Sequence, residues 1–222
     1  TARERLGAAG TQTAGLAFGG NTGTPPSPTL SNTSEEYNGS SWTEGNNLNT
    51  ARMAIKGAGS QTAAVGFGGG YPVSNMNLTE EYNGTSWSEQ NDMSADRAGH
   101  TGFGTQTAAV ATADWPAATT EEYGGTSWTS GGDLGTARYG GASAGSQSSA
   151  LYSSGSTGSG LLSQVEAWDG TSWTEVAEVA TAKRKTCGAG TSTAAIKMGG
   201  QPNSTSTEEW TTSISNSTIT VS

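Results

Sequence analysis

Five cations recur along this chain, each following a Thr-Ala or Ser-Ala landmark: Arg3, Arg52, Arg97, Arg138 and Lys183. Converging cations of this kind can grip a carboxylate or a sulfate, and they can equally bond to carbonyls of a neighbouring loop. Five carboxylates recur with them, Glu35, Glu80, Glu121, Glu166 and Glu208. Set around an axis these could hold a cation such as Ca²⁺; paired with arginine or with backbone N–H groups they are structural. Trp42, Trp87, Trp128 and Trp173 also repeat, and such a series serves either as a sugar platform or as packing between repeats. A residue needed in every repeat is usually needed to build the repeat, so packing and pairing are the expected roles.

The residues that do not recur carry a different chemistry. Asp92, Asp96, Asp114 and Asp133 are the irregular acids near the end where one repeat joins the next, and a glycosidase would need two such carboxylates roughly 5 to 10 Å apart. No motif supports that arrangement. Cys187 is the single cysteine and His100 the single histidine, which excludes a disulfide framework, a multi-thiolate metal site and a His-rich metal centre within one chain. His100 falls inside an expected strand and reads as a hydrogen-bonded filler. Trp115 is the tryptophan off the repeat pattern, so packing between repeats explains it poorly.

The elements that position these residues follow from the period. The 222 residues include 34 glycines and carry a net charge of −9, a balance that disfavours a nucleic-acid phosphate backbone as partner. No apolar run approaches the roughly 18 residues of a membrane span. There is no signal-peptide pattern, and a start at Thr1 rather than Met suggests a processed or excised segment. Glu35-Glu36-Tyr37, Glu80-Glu81-Tyr82, Glu121-Glu122-Tyr123, Glu166-Ala167-Trp168 and Glu208-Glu209-Trp210 mark five repeats. In the first four, an Asn-Gly, Gly-Gly or Asp-Gly pair leads into the repeating tryptophan.

Each repeat reads as four short strands. An Ala/Gly-rich strand ends at a turn glycine (Gly10, Gly59, Gly104, Gly145, Gly190), and a second apolar strand ends in Gly19-Gly20, Gly68-Gly69 or Gly199-Gly200. The third strand carries Glu-x-aromatic, whose Glu and aromatic share a face because side chains alternate along a strand. The glycine pair then signals a hairpin into the fourth. Four antiparallel strands repeating every 40 to 50 residues indicate an all-β, five-bladed β-propeller. The expected blades are 1–49, 50–93, 94–135, 136–180 and 181–222, within a single domain 1–222. The ending Ser217-Thr218-Ile219-Thr220-Val221-Ser222 alternates like a strand and is expected to close the fifth blade.

Strand alternation puts the loops from second to third strand at the same end as the links from one repeat to the next. Those loops vary in length, from 14 residues at 21–34 to 6 at 115–120, and variable loops on a rigid frame are where binding is normally found. The candidate ligand-binding residues on that face are Tyr71, Asn75 and Trp115, with Arg52, Arg97 and Arg138 at the links. Tyr139 and the stiff Thr24-Pro25-Pro26-Ser27-Pro28 segment lie there too.

The ordered markers (Gly-Gly after an apolar strand, Glu-x-Tyr, Trp some five residues on, then Leu or Met before Arg) resemble the kelch repeat across the whole chain. That resemblance implies a propeller of blades stacked around a channel. Five blades are fewer than the six or seven usual for kelch propellers, and Ala113-Asp114 and Ser154-Gly155 replace Gly-Gly in two repeats. The kelch-fold galactose oxidases need a tyrosine–cysteine pair and histidine copper ligands, for which Cys187 and His100 are too few. The wording of the repeats, rich in Gly-Thr-Gln-Thr-Ala and Glu-Glu-Tyr-Asn-Gly-Thr-Ser-Trp, is also similar to kelch-like virion and tail-fibre proteins of aquatic bacteriophages, cyanophages among them.

The expectation is therefore a non-catalytic binding or structural module, in a virion or otherwise extracellular. Its partner would be a host-surface glycan or a neighbouring virion protein, with no cofactor, no metal, no nucleic acid and no membrane insertion. The alternatives are a carbohydrate-active enzyme with acids at the channel mouth, or a structural spacer that self-assembles.

Overall fold

A computed structural model describes residues 2–24, 26–70, 76–114, 116–202, 205–213 and 216–221, with backbone alone at 212, 213 and 216–221. The described residues form strands, turns and bends without helix. The first sheet holds β1 (Gly7–Gly10), β2 (Gly15–Phe18), β3 (Ser34–Tyr37) and β4 (Trp42–Glu44). The second holds β5 (Lys56–Gly59), β6 (Ala64–Phe67), β7 (Thr79–Tyr82) and β8 (Trp87–Glu89). The third holds β9 (Thr101–Thr105), β10 (Ala108–Thr112), β11 (Thr120–Tyr123) and β12 (Trp128–Ser130). The fourth holds β13 (Ala142–Ser146), β14 (Ser149–Ser153), β15 (Gln164–Trp168) and β16 (Trp173–Glu178). The fifth holds β17 (Cys187–Gly190), β18 (Ala194–Met198), β19 (Thr207–Ser213) and β20 (Asn216–Val221).

Each sheet joins its four strands in chain order, antiparallel. This is the five-bladed β-propeller that the period predicts. The expected closing strand of the fifth repeat is β20, which pairs β19 from Glu208↔Val221 to Ser213↔Asn216.

Local conformation explains the repeat's glycines. Gly59 turns β5 into β6 at φ +108°, where an added Cβ would lie 2.2 Å from the Ala63 carbonyl oxygen, so a larger residue must distort the hairpin. At the end of the second strand the backbone, not the glycine, is what repeats: Gly19, Gly68 and Gly199 have φ of 66°, 64° and 67°, and Ala113 and Ser154 take 67° and 66° in the two variant repeats.

One boundary differs from expectation. The first strand of the second repeat, expected to begin just after Arg52, begins at Lys56 because Ala54 is left-handed, at φ 57°. Arg5 and Lys185 take φ of 55° and 57° at the same offset from their landmark cation, and Gly140 takes 72°.

The chain divides into two compact units, one of Thr1–Ala98, Gly104–Ala109 and Tyr123–Thr129, the other of Gly99–Phe103, Val110–Glu122 and Ser130–Ser222. In the first, Leu16, Phe18, Leu48, Ile55, Tyr82 and Trp87 are buried together. There Gln61, beside the turn glycine of the second repeat, reaches back to the first sheet and donates to the carbonyls of Gly15 (3.1 Å) and Tyr37 (2.8 Å). In the second, Phe103, Val110, Leu134, Tyr152, Trp168 and Trp173 cluster, and Leu151, Val165, Val179 and Trp210 form a further group.

Candidate functional site

The landmark cations lie inside the sheets. Arg52 is 0% exposed; its Nη2 meets Glu80 Oε1 at 3.1 Å and its Nη1 donates to the carbonyls of Leu78 (2.7 Å) and Gly68 (3.2 Å). Burial pulls its pKa below the ordinary arginine value, and Glu80 opposes that shift. Arg138 is paired with Glu166, donates to the Ser154 carbonyl at 3.0 Å, and stacks 4.8 Å over the Tyr152 ring. Burial pushes the Tyr152 hydroxyl up to about 12. Arg3 meets Glu35 at 3.0 Å, and Arg97 is buried.

The carboxylates complete the arrangement. Glu80, Glu166 and Glu208 each accept a backbone N–H from the link entering their own repeat, from Asn49 (2.7 Å), Gly135 (2.8 Å) and Ala180 (2.7 Å). Each pair therefore ties the start of a repeat to its third strand. Arg52, Arg97 and Arg138, expected on the ligand-binding face, are buried with the frame; at Arg52 and Arg138 a carboxylate and carbonyls supply what a guanidinium removed from water needs.

The fifth repeat solves the same problem differently. Lys197 meets Glu208 at 2.8 Å while Lys183 donates to Ser206. Lys197 sits opposite Glu208 in the ladder, where Ala17, Gly66 and Tyr152 sit opposite Glu35, Glu80 and Glu166. Sequence reading missed Lys197. Its signal was a lysine at a register that is small or aromatic elsewhere.

The aromatic series packs one sheet on the one before it. Trp87 lies 4.8 Å from Phe18, Trp128 5.0 Å from Phe67 and Trp173 6.3 Å from Phe103. The Nε1 atoms of Trp128 and Trp173 donate to the hydroxyls of Thr79 (2.9 Å) and Thr120 (3.0 Å). Tyr82 and Tyr123 donate to Glu36 and Glu81 of the preceding sheet, and burial with these carboxylates holds both phenols well above the usual tyrosine value. Trp42 alone among the four is largely uncovered, at 54%.

On the loop face, Tyr71, Asn75 and Trp115 lie outside the described residues. His100 is buried. Asp92 accepts the Thr79 N–H at 3.2 Å and Asp114 the Gly99 N–H at 3.0 Å, while Asp96 and Asp133 are exposed. Among the described residues no group of three or more His, Cys, Asp or Glu gathers as a metal site.

The same face carries an open groove of about 540 Å³ in the second compact unit, lined by Ser156, Gly158–Leu161, Arg184, Gln201 and Pro202. Its walls are the second-to-third loops of the fourth and fifth repeats and the link entering the fifth. Ser156 donates to the Gly160 carbonyl (3.0 Å) and accepts the Gly158 N–H (3.2 Å), closing the loop on itself. Ser156 and Tyr139 exchange backbone bonds of 2.9 and 3.1 Å, and Arg184 and Gln201 exchange bonds of 3.2 and 2.8 Å. With both backbones pinned, Arg184 Nη1 donates to the Tyr139 hydroxyl at 3.2 Å. The exposed tip offers the Thr157 and Ser159 hydroxyls, and Leu161 is 37% exposed. Of these residues only Tyr139 was expected on this face. Arg184 follows a landmark lysine and was hidden by it.

No family model matches the chain, and no curated protein matches it. The solved structure of YjhT is similar, with a TM-score of 0.77 over 98% of this chain and 84% of that one, at 13% identity. At that identity the likeness is one of fold.

Proposed function

We propose that this chain is a non-catalytic binding module, a kelch-type propeller displayed on a virion or tail fibre, which contacts a host-surface glycan through its loop face. The observation that carries the reading is the division of labour among polar residues. The recurring Arg, Glu, Tyr and Gln side chains bond within and between neighbouring sheets, whereas the loops that differ between repeats enclose an open polar groove. An exposed leucine beside hydroxyls and an amide is the mixture a sugar ring meets, with an apolar face and polar edges.

A glycan array and a whole-cell binding assay test this, using the wild-type chain beside Trp115→Ala and Leu161→Ala. Binding that either substitution weakens, without change in the circular dichroism spectrum, is the expected result. A folded wild-type chain that binds neither glycans nor cells would point to contact with another virion protein, and release of cleaved sugar would overturn the non-catalytic assignment.

A further inference from the structure

Charge pairing singles out one place on this molecule. The chain has ten Lys and Arg against nineteen Asp and Glu, so an acidic partner is available for nearly any cation. Arg3, Arg5, Arg52, Arg138 and Lys197 stand in ion pairs. Lys56, Arg97 and Lys183 make contacts of their own. Arg184 and Lys185 remain. Among the described residues, neither has a carboxylate within 4 Å, and they are adjacent in the chain.

Arg184 lines the loop-face groove, and its guanidinium meets the Tyr139 hydroxyl rather than a carboxylate. Lys185, exposed, follows in a left-handed conformation at φ 57°. A protein of net charge −9 has no general attraction for anions, so an uncompensated guanidinium held in place beside a groove is a local device. Its planar fork matches the two oxygens of a carboxylate or a sulfate ester. Around it, Ser159 and Gln201 offer hydrogen bonds, and Leu161 and Pro202 offer apolar surface, as a ring bearing such a group requires.

From this we infer that the groove takes an anionic saccharide, with Arg184 as the anchor for its carboxylate or sulfate. The inference rests on the loop-face binding reading and specifies its ligand. It also moves the anion-gripping role from the landmark cations, where the repeat suggested it, to the residue after one of them.

Titration calorimetry with three probes tests it: dextran, dextran sulfate oligosaccharide and oligogalacturonate. The wild-type chain is expected to bind at least one anionic probe and to ignore dextran. Raising the salt from 50 to 300 mM should weaken binding. Arg184→Ala should lower affinity about ten- to a hundredfold, with Arg184→Lys keeping part of it. Which anionic probe binds tells carboxylate from sulfate. Equal affinity for dextran, or anion binding that Arg184→Ala and Lys185→Ala leave unchanged, would overturn the inference. If the array and cell assays show binding sensitive to Leu161→Ala while every anionic probe fails, the anion assignment falls and loop-face binding stands. If all of them fail, both fall.

Discussion

Arg52 and Glu80 show at single-residue scale why the recurring charges are structural. A guanidinium with no exposed surface is tolerable because four acceptors surround it: one Glu80 oxygen and the carbonyls of Gly68, Leu78 and Gly66. Removing one partner strands the other. Glu80→Leu should therefore destabilise by about 3–5 kcal/mol, and the joint replacement Arg52→Met with Glu80→Leu should cost much less, as read from urea midpoints. A double variant no more stable than the worse single one would argue that the carbonyls, not the carboxylate, hold the arginine. Both residue types were legible as recurring markers. Pairing of the glutamates with arginine was the expected role, but which arginine meets which glutamate was not legible, because Arg52 and Glu80 stand 28 positions apart and only the sheet brings them together. Lys197 is the sharper case: its repeat keeps a landmark lysine, and only the ladder shows a second lysine opposite Glu208 and ion-paired with it.

At the scale of the element, the fourth strand's tryptophan is a packing device whose value depends on what covers it. Trp87 is 6% exposed against Phe18, and Trp42 is 54% exposed at the same place in its repeat. Trp87→Ala should cost about 3–5 kcal/mol, while Trp42→Ala should stay below about 1 kcal/mol. Chemical denaturation of the two variants measures the difference, and equal losses would mean that Trp42 is covered in solution. The four-strand pattern and its hairpins were readable from alternation and glycine pairs. Strand onsets were less so, since a left-handed Arg5, Ala54 or Lys185 breaks the strand where no glycine announces it. Gly140 at the same offset was the available clue.

For the whole molecule, five sequence repeats became five sheets, each made of contiguous chain. Repetition is a signal that survives degenerate wording, because every sheet must solve the same packing problem. The groove was beyond reach for the same reason: it is built from what differs between repeats, and nothing in a period predicts how residues 156–161 and 201–202 converge. The choice of face rested on strand alternation and loop lengths; one groove lies there, and another of about the same volume lies along β1 and β2 beside Tyr37 and Trp42.

The central claim is that the recurring residues build the frame and the variable-loop end binds. Hydrogen–deuterium exchange of the chain with and without dextran sulfate oligosaccharide tests it most directly. Protection is predicted at 156–161, at 184–185 and at 201–202, with little change in the hairpins at 38–41, 83–86 and 169–172, which lie at the other end of the same strands. Protection confined to those hairpins, with 156–161, 184–185 and 201–202 unchanged, would contradict it.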